Sequence, residues 1–182
     1  MKRFPPARRA TIALYERRYG VRFSDEFRAF LLRTNGLLFG FSSDAAREAG
    51  VSLALADMNT LFGVGDGDPN VDLLRLTAPH WDFYDVRMLP FAPAIGLGGD
   101  FCTFSEISIG PRRGEIMYTD GELFGEFRKR LSTRTTPQGL IEGFVKDGYF
   151  MPTAKSFSEL IDLYAKMAGD AGQPTRRATS ET

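Results

Sequence analysis

The sequence predicts an α+β protein: a single domain with a mainly antiparallel sheet, flanked by N-terminal helices and a C-terminal helix. Three observations carry this. The chain has 182 residues, enough for one domain with a substantial core. Helical periodicities sit at its two ends, and the β-prone runs cluster between them instead of alternating with helices. Hydrophobic residues make up 43% and charged residues 25%, the ordinary balance of a globular protein.

Each element follows from local chemistry. In ARRATIALYERRY (7–19), Ile12, Tyr15 and Tyr19 define one apolar face of a first helix. Arg17 and Arg18 suit its last turn, and Gly20 suits the turn that ends it. A second helix follows in RFSDEFRAFLLRTNG, with Ser24 as cap, Asp25 and Glu26 in the first turn and Phe27, Phe30 and Leu31 as the buried stripe. Asn35-Gly36 ends it in a left-handed turn. Residues 37–58 read either as strand (LLFGF) or as short helix (SSDAAREAGVSLALADM). NTLFGV (59–64) reads as a strand, GDGDPN as a loop, and TAPHWDFYDVR as an aromatic-rich irregular segment. MLPFAPAIG and DFCTFSEISI are strands around a glycine turn, and GEIMYTDGE is a further strand beyond Gly110-Pro111. TPQGLIEGFVKDG is a helix with Thr136 as cap and Pro137 at its first position. SFSELIDLYAKMAG is the closing helix, with Ser156 and Glu159 as a capping box, a stripe through Phe157, Leu160, Ile161 and Tyr164, and Gly169 at its end. The domain is expected over 1–168, with 169–182 a disordered polar tail.

Composition narrows the function. Twenty-three basic residues balance 23 acidic ones, which argues against a dedicated nucleic-acid binder but leaves room for a local basic patch. One cysteine, no signal-like leader and no apolar run long enough to span a bilayer imply a cytoplasmic protein with no membrane partner.

Candidate chemistry is sparse. GLGGD (96–100) lacks the lysine of a phosphate-binding P-loop and the helix of a dinucleotide fingerprint, so it reads as a turn whose glycines take positive φ. Cys102 reads as a small buried thiol; a nucleophile would need His80, the single histidine, beside it. His80 with Asp82 and Asp85 matches no standard metal spacing. Asp66, Asp68, Asn70 and Asp72 alternate as in calcium loops, but Val71 and Thr77 stand where the EF-hand needs Gly and Glu. A solvated acidic turn is the expectation there. Trp81, Phe83 and Tyr84 either anchor a partner or close one end of the core.

Four stretches, in order, resemble the SMI1/KNR4 (SUKH) domain family: LYERRYGVRFSDEFRAFLLRTNG, LFGVGDGDPNVDLL, LPFAPAIGLGGDFC and SFSELIDLY, a resemblance that extends over roughly residues 9–166. The chain departs from the family pattern at Ser24, where a proline is common, at Leu37, where a second glycine is common, and at Ser105-Glu106, where an aspartate is usual. The resemblance implies a single α+β domain that is not an enzyme and uses no cofactor or metal. It implies a protein partner, a cognate toxin neutralised by an immunity protein; the alternatives are a regulatory scaffold with a non-toxin partner, or a small hydrolase or transferase using Cys102 or His80. The expected anchors are Trp81, Phe83 and Tyr84, with Asp66, Asp68 and Asp100 as polar contacts. The toxin, the binding face, the oligomeric state and the role of 119–155 stay open.

Overall fold

The computed structural model describes residues 2–40, 43–65, 72–73, 91–98, 102–120 and 136–170. The elements are β1 (Lys2–Arg3), α1 (Arg9–Tyr19), α2 (Asp25–Arg33), β2 (Leu37–Leu38), α3 (Ser43–Glu48), α4 (Leu53–Asp57), β3 (Met58–Leu61), β4 (Ala94–Gly98), β5 (Thr103–Glu106), β6 (Ile116–Thr119), α5 (Pro137–Lys146), β7 (Met151–Ala154) and α6 (Phe157–Asp170). Among the described residues the seven strands form one sheet in chain order, every neighbour antiparallel. The fold is α+β, as the clustering of strands predicts.

Two apolar layers cover the sheet. The larger joins α1, α2, α4 and α6 to β3–β6 through Tyr15, Phe27, Leu55, Leu160 and Phe104. The smaller packs Ile141 and Phe144 of α5 on Met117, Ile107, Phe91 and Phe150. Side chains alternate along β6: Ile116 and Tyr118 enter the first layer and Met117 the second, so the strand is buried throughout.

The phenylalanines hold the helices together. Phe27 meets Phe23 at 5.0 Å, Phe30 at 5.8 Å and Phe157 of α6 at 5.1 Å, and Phe23 stacks on Tyr15 at 5.5 Å. One aromatic cluster thus ties α1, α2 and α6. Beyond their buried area, such pairs contribute about 0.5–1.5 kcal/mol each.

The caps form where local chemistry places them. Ser24 Oγ accepts from the Phe27 amide at 3.0 Å, and Thr136 Oγ1 from Gly139 at 3.2 Å. Asn35 and Gly36 have φ of 48° and 102°. The buried Asn35 side chain then does more than turn the chain: Oδ1 accepts from the Val64 amide at 2.7 Å and Nδ2 donates to the Val64 carbonyl at 3.4 Å.

Several expectations are corrected. Gly96 and Gly98 are strand residues of β4 and do not take positive φ. Gly96 is needed for another reason: a Cβ there would lie 2.6 Å from the Thr60 carbonyl, so only glycine lets β3 and β4 approach. β4 starts at Ala94; Leu89 and Pro90 of the expected strand lie outside the described residues, and Phe91-Ala92 turn instead. The 37–58 ambiguity resolves into both readings, a two-residue strand and two short helices. β1 and β7 are strands that no period announces. At α6, Ser156 caps Glu159, but the Glu159 carboxylate accepts from the Lys155 amide, and the helix runs through Gly169 to Asp170.

Candidate partner-binding site

The six expected contact residues, Trp81, Phe83, Tyr84, Asp66, Asp68 and Asp100, lie outside the described residues, as does His80. The described residues next to them in the chain are Gly65, Asp72-Leu73, Phe91, Gly98 and Cys102.

Gly65, Asp72 and Leu73 are closely held. The Gly65 amide donates to Asp72 Oδ1 at 2.7 Å, Leu73 N donates to the Gly63 carbonyl at 2.9 Å, and Gly63 and Asp72 form a parallel bridge. Gly65 has φ of 72°. Asp72 is only 1% exposed, so the expected solvated acidic turn is wrong at this position: its carboxylate is a buried clasp. Asn35 holds the preceding Val64, so the segment with Asp66 and Asp68 springs from a base tied to the end of α2.

The β4–β5 connection is closed by the Gly98 amide donating to the Cys102 carbonyl at 2.8 Å. Asp100 belongs to it. In the antiparallel register Leu61 faces Gly96 and Met58 faces Gly98. The long 62–93 segment is therefore rooted where β4 begins, and Asp100 where β4 ends. Five residues of strand, roughly 16 Å, separate the two roots.

Cys102 stands just before β5, 5% exposed, its Sγ 2.8 Å from the Tyr118 hydroxyl across the β5–β6 pair. It is a core thiol, as its strand-like context predicts.

Glu106 is the residue that sequence reasoning misses. It ends β5, is 2% exposed, and accepts from the Ser24 amide at 3.2 Å through Oε2. Its Oε1 is buried without a hydrogen-bond partner. Burial raises its pKa from the ordinary 4.5; the Ser24 hydroxyl and amide oppose that rise, and Glu26 adds to it. Positions 24 and 106, two departures from the family motif, thus meet in space. A proline at 24 has no N–H to offer this carboxylate. Next to them Glu26 Oε2 accepts from the Ser158 amide at 2.7 Å, fastening α2 to the start of α6.

The geometry defines a class: a layered α+β scaffold in which Glu26, Asp72 and Glu106 accept hydrogen bonds that fasten chain segments together and the one thiol is buried. Among the described residues no three His, Cys, Asp or Glu side chains are grouped for a metal, and no helix is long and apolar enough to cross a membrane. The chain belongs to the SMI1/KNR4 family (SUKH-1), whose model matches residues 6–163. No curated protein and no solved structure matches it.

Proposed function

We infer that this chain is a non-catalytic protein-binding module, an immunity protein that binds a cognate bacterial toxin in the cytoplasm and blocks it stoichiometrically. The family match over 6–163 carries the reading. Two features support it. Cys102 is spent on the core, which leaves the nucleophile reading without an accessible thiol. The described residues that adjoin Trp81, Phe83, Tyr84 and the three aspartates in the chain are hydrogen-bonded into the fold at Gly65, Leu73 and Gly98, and a well-held base lowers the ordering cost of binding.

Co-expression with the products of adjacent reading frames tests it. The expected result is rescue from one toxic product and a one-to-one complex with it. Replacing Trp81, Phe83 and Tyr84 together by alanine should weaken that complex by roughly a hundredfold or more without lowering the melting temperature. A tight complex with a harmless partner would move the reading to a regulatory scaffold. Turnover of a substrate lost in Cys102→Ser would defeat it.

A further inference from the structure

Charge is unevenly placed. Residues 2–22 hold seven of the 23 basic side chains and one of the 23 acidic ones. That one acid, Glu16, is committed to Arg28 of α2 at 2.7 Å and to the Phe23 amide at 2.9 Å. Among the described residues Arg8, Arg9, Arg17 and Arg22 have no ion pair, and Arg18 lies only over the Tyr19 ring at 5.5 Å. Elsewhere Arg28, Arg47 and Arg112 each meet a carboxylate, and of the other described arginines beyond residue 22 Arg33 and Arg113 make no ion pair.

Arg17 and Arg18, three and four residues after Leu14, flank an apolar spot, and Arg9 lies farther round α1. α1 turns Ile12 and Tyr15 into the core. At 3.6 residues per turn the opposite face carries Ala10, Leu14 and Arg17, with Arg9 and Arg18 to either side. Leu14 is 50% exposed, and only one other large hydrophobic, Met151, is exposed among the described residues. An exposed leucine rimmed by uncompensated arginines has the makeup of an interface, apolar at the centre and charged at the edge.

The start of α1 points the same way. Arg8 at the cap position makes no capping bond, and the first turn has no acid. Two cations there oppose the positive end of the helix dipole. Neither makes a capping bond or an ion pair, and positions that break a local rule are where functional or strained sites are expected.

We propose that the outer face of α1, Leu14 with Arg9, Arg17 and Arg18, docks a carboxylate-rich surface of a protein partner that offers an apolar pocket to Leu14. This rests on the protein-binding reading and adds the partner's chemistry. A phosphate backbone would satisfy the arginines but leave Leu14 without a partner, and the acid excess outside 2–22 would repel a polyanion.

Fluorescence anisotropy on the full chain tests it with three labelled probes: a short peptide of Glu, Asp and Leu, its lysine counterpart, and a duplex DNA of similar length. The acidic peptide should bind, more weakly as salt rises, and the lysine peptide should not. R17E/R18E should cost at least about tenfold and Leu14→Ala at least about threefold. The sharpest variant is R8D/R9E, which should weaken binding yet raise the melting temperature by about 2–4 °C, because it repairs the cap. DNA binding tighter than the acidic peptide, or peptide binding unchanged in R17E/R18E or Leu14→Ala, overturns the proposal. So does a lowered melting temperature in R8D/R9E. If R17E/R18E leaves a toxin complex intact, this surface fails and the protein-binding reading stands. If no toxin complex exists but the peptide binds through Leu14, the surface and the protein-binding reading stand and the toxin part of that reading fails.

Discussion

α1 and α2 are consecutive helices that share one aromatic cluster and both end on arginines, yet they begin in opposite ways. α2 has a Ser24 cap, Asp25 and Glu26 in its first turn, Arg33 in its last, and Arg28 paired with Glu16. α1 begins with Arg8 and Arg9, has no capping bond and no first-turn acid, and turns Leu14 and Arg17 to solvent. Both bury an inner stripe, Ile12 and Tyr15 in α1 and Phe27, Phe30 and Leu31 in α2. The difference teaches that stability here comes from inner faces and capped ends, so an outer face that ignores those rules is free to serve something else.

The comparison can be broken from the inside first. Phe27→Ala, at a fully buried position where α1, α2 and α6 meet, should cost about 3–5 kcal/mol by denaturant titration. Asn35→Ala should come next. It leaves the buried Val64 amide and carbonyl without their side-chain partner and strains a position at positive φ, for a loss of about 1–3 kcal/mol. Ser24→Ala should cost about 1 kcal/mol, the usual worth of a cap. At the other extreme, R17A/R18A should cost only about 0.5 kcal/mol, since both side chains are exposed, neither makes an ion pair and what is lost is their interaction with the end of the helix dipole. A loss there as large as that of Ser24→Ala would erase the distinction between the two helices.

Glu106 sharpens the same contrast through pH. Its folded-state pKa lies above its ordinary 4.5, so the native protein keeps this proton to higher pH than the unfolded chain does. The stability it contributes is complete below about 4.5 and is lost as pH rises through the raised folded value. Glu106→Gln keeps an acceptor for the Ser24 amide and removes the titration. Its melting temperature should change less with pH between acid and neutral than that of the parent. An unchanged slope would show that Glu106 is not the titrating group.

Much was legible in the sequence. Periodicity and caps placed α1, α2, α5 and α6, because a helix is decided by residues within a turn or so of one another. The same locality put Asn35-Gly36 in a left-handed turn and made Cys102 an inward thiol. The candidate site was legible only as residue types: Trp81, Phe83, Tyr84 and the aspartates stand out by composition, and the clasps beside them in the chain do not.

Those clasps, like the rest of the sheet, were decided by tertiary structure. β1 is two charged residues, and it is a strand only because Leu37 and Leu38 supply its partners. β6 is buried along its whole length because helices pack on both of its faces. Gly96 is tied to Thr60, Val64 to Asn35 and Glu106 to Ser24 by contacts between chain segments far apart. The sequence by itself determined which segments coil, where they start and which face they bury. Which distant groups meet depended on how sheet and helices close over one another, because a contact between residues dozens of positions apart leaves no periodic trace in the chain.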